Sequence, residues 1–143
     1  MGWLAWMEEI RIASDGAWYF NGGKMFRMEI VSLLASYLQL KDEQYFICWR
    51  DQEVPVTVED VPYVITGVSV AESGFKARLA DDRELVLPER PIVWQNEVPY
   101  ISLFSDLVAD TKLSRAAFWQ LTSYLKEEDG QQWIRCPQPD EIN

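Results

Sequence analysis

The sequence predicts an α+β fold: two small lobes built from a repeated hairpin-helix-strand motif around antiparallel sheets. Three observations carry this. Asp15-Gly16 lies between two β-prone runs, a strong hairpin signal. Residues 26–40 and 115–126 repeat apolar side chains at three- and four-residue spacing, as an amphipathic helix does. The two helical segments also resemble each other: Ser36-Tyr37-Leu38 returns as Ser123-Tyr124-Leu125, a displacement of 87 residues.

The elements follow in order. Ile10 to Ala13 and Ala17 to Phe20 are the arms of the first hairpin, and Asn21-Gly22-Gly23 breaks the second arm. Phe26, Ile30, Leu33, Leu34, Tyr37 and Leu38 form the apolar stripe of the first helix. Tyr45 to Trp49 is an apolar strand, and Val54 to Val58, with Pro55, suits a sheet edge. Turns at Glu59 to Pro62, Glu72-Ser73-Gly74 and Ala80 to Arg83 separate strands at Val64 to Val70, Phe75 to Leu79 and Leu85 to Leu87. Ile92 to Trp94 and Pro99 to Leu103 complete a meander of short strands. Ser114 caps the second helix, with Phe118, Leu121, Thr122 and Leu125 inward and Trp119 at the margin. Gly130 stops it, and Gln132 to Cys136 is the last strand before a polar tail. At displacements of 87 and 88, each copy is a helix, a charged turn and an aromatic strand ending at Cys48 or Cys136. The expected division is a lobe at 1–63 and a lobe at 64–143, forming one compact unit. A cleft between two such lobes is a natural ligand site.

Composition narrows the function. A chain of 143 residues, 48% apolar, can build a core without metal or disulfide staples. Its net charge of −10 disfavours binding to nucleic acid or to anionic membrane surfaces. The sequence has no histidine, which removes Ser-His-Asp and Cys-His catalysis and the usual His-containing metal sites. Cys48 and Cys136 alone do not make a zinc cage. Two reduced thiols are expected, with a single disulfide as the alternative. No metal, cofactor or membrane span is expected, and the N-terminal apolar run is too short for a signal-peptide core. The cytoplasm is the expected compartment. Trp3 and Trp6 are expected to pack on the core or on another subunit.

Candidate chemistry is sparse. Glu59 and Asp60 are adjacent, so strand geometry would point them to opposite faces. Solvated turn carboxylates explain them better than an acid/base pair. Arg27 and Arg115 stand near the starts of the two helices, and Arg27 follows a Gly-Gly loop. They can face a shared anionic ligand or a buried acid such as Asp60, or simply pair with surface carboxylates. Trp18, Trp94, Trp119 and the other aromatics can line a pocket or fill a core, and the core is their commoner use. The candidate ligand-binding set is Arg27, Asp60, Arg115 and Trp18, with no catalytic residue.

Ile12 to Gly22, then Arg27, Val58-Glu59-Asp60-Val61-Pro62-Tyr63, Pro99-Tyr100 and Leu113 to Trp119 recur in an order that resembles the bacterial domain-of-unknown-function 1285 family. The resemblance runs over roughly residues 9 to 136. It implies an α+β fold with repeated motifs in two lobes, no established enzyme activity and a suggested role in signal transduction. The run Trp49 to Glu53 and the turn Leu79 to Glu84 depart from the family pattern. The expected function is a small regulatory or ligand-binding module. The alternative is a protein-interaction module or homodimer, drawn from the Trp-rich N-terminus and the acidic surface.

Overall fold

β-structure dominates the chain, whose computed structural model describes residues 9–72 and 74–137. The segment bearing Trp3 and Trp6 and the tail from residue 138 lie outside the described residues. Contacts divide the chain into two compact units, the first ending at Pro62 and the second beginning at Tyr63.

In the first unit β1 (Ile10–Ile12), β2 (Trp18–Phe20) and β3 (Gly23–Lys24) form one antiparallel meander. The hairpin turn is held by Asp15, whose Oδ1 accepts from the Ala17 N–H at 3.0 Å. Gly16 supplies the positive φ of 89° that the turn needs. Helix α1 (Met28–Ala35) leads to a second meander, β4 (Leu38–Lys41), β5 (Gln44–Trp49) and β6 (Gln52–Val58). The sheet order is β3-β2-β1-β6-β5-β4. Alternation puts Ile10, Ile12, Ile47 and Val56 on the inner face, where Val31 and Leu34 of α1 cover them.

The second unit holds β7 (Tyr63–Ala71), β8 (Gly74–Leu79), β9 (Glu84–Val86), β10 (Arg90–Pro91), β11 (Val93–Gln95), β12 (Val98–Ile101) and β13 (Thr111–Leu113). Helix α2 (Arg115–Leu121), a 3-10 turn at Thr122–Tyr124, β14 (Lys126–Glu128) and β15 (Gln131–Ile134) follow. The main sheet runs β11-β12-β13-β7-β8-β9, and a small sheet runs β10-β15-β14. Among the described residues no helix is long and apolar enough to cross a membrane.

The sheets are mixed, not antiparallel as expected. β1 pairs parallel with β6, and β7 pairs parallel with β13. In each unit the first strand is central, flanked by the second strand and by the last. Two antiparallel meanders are thereby joined through one parallel pair. The likeness reaches single hydrogen bonds: Glu59 N–H donates to Ile12 O and Ser114 N–H to Ile65 O, each at 3.0 Å. Reading β1–β6 onto β7, β8, β9, β11, β12 and β13 therefore gives two sheets of the same topology. The displacement is 53 residues at the first strand (Ile12 to Ile65) and 55 at the last (Val58 to Leu113). The expected displacement of 87 joins different things. It matches α1 with the β4–β5 hairpin to α2 with the β14–β15 hairpin, and those hairpins belong to unlike sheets.

Both helices are shorter than their apolar periodicity suggests. α1 stops at Ala35, where the Ser36 hydroxyl donates to the Leu33 carbonyl at 2.6 Å. Leu38–Lys41 then pairs with β5 instead of continuing the helix. Phe26 and Leu33, expected in the inner stripe, are exposed. α2 ends at Leu121 and buries Ala117 and Leu121, with Phe118 only partly covered.

Candidate functional site

The second unit carries a groove of about 460 Å³. Its floor comes from the starts of β12 and α2 and the end of β13: Val98, Pro99, Leu113 and Ser114. Trp94 of β11 forms part of one wall, and Arg115, Phe118 and Trp119 of α2 form the other. Lys112 and Glu97 complete the lining.

Local structure explains each position. Asn96 and Glu97 both take positive φ, 50° and 65°, giving a two-residue hairpin turn between β11 and β12. Pairing sets Trp94 opposite Pro99, on one face of the sheet. The Trp94 indole meets the Phe118 ring edge-on, with centroids 5.3 Å apart, and its Nε1–H donates to Gln132 Oε1 at 3.1 Å. Helix α2 begins at Ser114, whose Oγ accepts from the Ala117 N–H at 3.1 Å. The helix is fixed to β7 where the pairing register shifts between Ile65 and Gly67. There Gln120 Oε1 accepts from the Val68 N–H at 2.6 Å. That anchorage leaves Arg115 and Trp119 on the outer side of the helix.

Trp94 and Trp119 are 47% and 67% exposed, so the groove presents aromatic surface to solvent. Arg115 has no ion-pair partner among the described residues. The groove thus offers an apolar floor, aromatic walls, two cations (Lys112 and Arg115) and one carboxylate, Glu97. It suits a ligand with an apolar body and an anionic group.

The four residues singled out from sequence are dispersed. Trp18 is buried in the first unit's core. Arg27 is the exposed N-cap of α1, without a side-chain cap bond, and pairs with Glu29 at 3.2 Å. Glu29 is held below the usual carboxylate range, first by a backbone hydrogen bond and then by Arg27. Asp60 is exposed, not buried, and lines a pocket of about 340 Å³ with Glu43, Gln44, Tyr45, Thr57 and Val58. Arg115 lines the aromatic groove.

Asp60 and Arg115 occupy equivalent places, each two residues beyond the last strand of its sheet. Their pockets are equivalent too. Each is built from a two-residue turn with both φ positive (Asp42-Glu43, Asn96-Glu97), the strand after it and the sheet's last strand. The first unit lines that place with Glu43, Gln44, Thr57 and Asp60 beside Tyr45, Val56 and Val58, whereas the second lines it with Trp94, Phe118 and Trp119. The fold can therefore be built without these aromatics, and only the second unit has them.

Two buried acids carry no signal of burial in the sequence. Asp110 is 3% exposed and accepts from the N–H groups of Leu103, Phe104 and Ser105 at 2.7, 3.0 and 3.1 Å. Asp81 takes a two-pronged bond from Arg83 at 3.0 and 2.8 Å. Burial works against the charge on Arg83, but the hydrogen bonds and negative charge of Asp81, together with Tyr63, hold its pKa above the ordinary arginine value. Its guanidinium also lies 5.3 Å from the Phe104 ring centre. Glu59 bonds Arg11 and accepts from the Ser14 N–H at 3.3 Å, a structural role. Among the described residues no group of acids and cysteines is placed to hold a metal, and Cys48 and Cys136 form no disulfide.

Residues 5–61 match a family described as domain of unknown function (DUF1285), N-terminal domain. Two solved structures share the fold. A DUF1285 family protein from Shewanella baltica OS155 is 21% identical with a TM-score of 0.69, covering 82% of this chain and 92% of its own. One from Silicibacter pomeroyi DSS-3 is also 21% identical with a TM-score of 0.69, covering 94% of this chain and 82% of its own. No curated protein matches the chain.

Proposed function

Because residues 5–61 match the DUF1285 N-terminal domain, a family described without a function, we propose a role read from the groove itself. The protein is a small ligand-binding module of regulatory type. The groove of the second unit takes a molecule with an apolar, preferably aromatic, body and one anionic group. In a bacterial signalling setting, occupation of that groove is the input. The proposed compartment is the cytoplasm, which two cysteines that form no disulfide suit.

One observation carries this reading. At the same place in two sheets of like topology, the second unit alone exposes Trp94 and Trp119 beside a cation without an ion-pair partner among the described residues. Exposed aromatic surface costs solvation free energy, and the fold does not require it there.

The test uses anilinonaphthalene sulfonate, an aromatic sulfonate whose fluorescence reports apolar sites. The native protein should bind it with saturable emission. Trp119→Ala should weaken binding about tenfold, and Arg115→Ala by several-fold, at unchanged circular dichroism. Arg27→Ala should leave the affinity alone. Equal affinity in wild type, Trp119→Ala and Arg115→Ala would sink the assignment.

A further inference from the structure

We propose that the same groove also receives the loop 102–110 from a second copy of this chain, so that self-association and ligand binding compete for one site. This rests on the groove being a binding site, as argued above. It starts from a second feature that separates the two units. In the first unit β5 passes to β6 through the two residues Arg50 and Asp51. At the equivalent junction of the second unit, β12 passes to β13 through residues 102–110. The topology needs only the short turn, so the loop is an addition to the fold.

The added loop is a built structure. Asp110 gathers three successive backbone N–H groups, those of Leu103, Phe104 and Ser105. Ser105 Oγ accepts from Leu107 N–H at 3.1 Å and Val108 N–H at 3.3 Å. Phe104 rests on Tyr63, with ring centres 4.5 Å apart. These bonds fix the loop while leaving Leu107 at its tip 93% exposed. An ordered apolar tip loses little conformational entropy on docking, which favours recognition over mere exposure.

Charge selects the occupant. Asp106 stands next to Leu107, 88% exposed, with Arg90 at 3.2 Å from one carboxylate oxygen. The groove supplies apolar floor for a leucine and two cations, Lys112 and Arg115, for a carboxylate, against one acid, Glu97. The loop cannot serve its own groove: it leaves the far end of β12, whose near end lines the groove. None of residues 102–110 lines the groove of its own copy, and the bonds to Asp110 and Ser105 Oγ hold the loop with Leu107 turned to solvent. The donor is therefore another copy. If two copies exchange loops across a twofold axis, both contacts form and the assembly closes as a dimer.

Sedimentation across a concentration series would compare wild type, Leu107→Asp and Trp119→Ala, with anilinonaphthalene sulfonate fluorescence read on the same samples. Wild type should gain mass with concentration, and the probe should reverse that gain. Both substitutions should weaken self-association at least about tenfold. Leu107→Asp should keep full probe binding, whereas Trp119→Ala should lose it. A wild type that stays monomeric, or an association indifferent to Leu107→Asp, overturns the proposal. If association is sensitive to Leu107 but the probe never binds, the small-molecule reading falls and the loop contact stands. If the probe binds and no association occurs, the loop contact falls and the small-molecule reading stands.

Discussion

At the scale of single residues, the informative groups are those whose partners are distant in sequence or hidden by irregular chain. Asp110 lies in a stretch without helical or strand periodicity, so nothing in its neighbours announces a buried carboxylate. Its role emerges only when the loop closes back over it. Replacing it by alanine would leave the N–H groups of Leu103, Phe104 and Ser105 without their acceptor. The expected loss is about 3 kcal/mol of unfolding free energy, seen as a lower urea midpoint with an unchanged slope. Asp110→Asn keeps one acceptor oxygen and should fall between wild type and alanine. Equal midpoints for all three proteins would show that the loop is held some other way. The aromatics are ambiguous for a different reason. Trp18, Trp94 and Trp119 are the same residue type with the same intrinsic hydrophobicity. Only the fold decides that the first fills a core and the other two face solvent.

At the scale of elements, local signals are legible and ends are not. The Asp15-Gly16 hairpin, the Ser114 cap and both helices stand where short-range patterns put them. The helix ends differ because pairing overrides periodicity. Leu38 and Leu40 continue a helical stripe by spacing alone, yet β5 offers a strand partner to each of the four residues of β4. Parallel pairing of β1 with β6 is beyond any local signal, since it joins residues 46 apart, such as Ile10 and Val56. The same view gives a prediction for α1. Its N-cap is Arg27, in an extended conformation with no side chain bonding the first turn. The ion pair of Arg27 with Glu29 is exposed and contributes little. Arg27→Ser should raise stability by about 1 kcal/mol, because a serine oxygen can accept from the free N–H groups of the first turn. Thermal unfolding should shift upward by a few degrees, and a lower transition would mean that Arg27 does more than end a chain segment.

At the scale of the whole molecule, the duplicated sheet and the net charge govern behaviour that no single residue shows. Self-similarity at 87 residues reflects the helices, because amphipathic helices share a strong pattern. The sheets repeat near 53 to 55 residues, and their short strands carry too few residues to stand out. The correspondence of the two pockets is half visible in the sequence: Asp60 and Arg115 both stand out, but their equivalent placement depends on parallel pairings that sequence alone does not disclose. The net charge of −10 sets a further test of the groove. An approaching anion feels the repulsion of the whole acidic surface before it feels Arg115 at contact range. Salt shortens the Debye length to about 8 Å at physiological ionic strength, which screens the distant repulsion more than the close attraction. The association rate of anilinonaphthalene sulfonate, measured by stopped flow, should therefore rise as salt is added. In Arg115→Ala the rise should persist, because the repulsion is global, while the dissociation rate should be faster at every salt concentration. An association rate that falls with salt in the wild type would mean that local positive charge commands the approach. The acidic surface would then lie away from the groove.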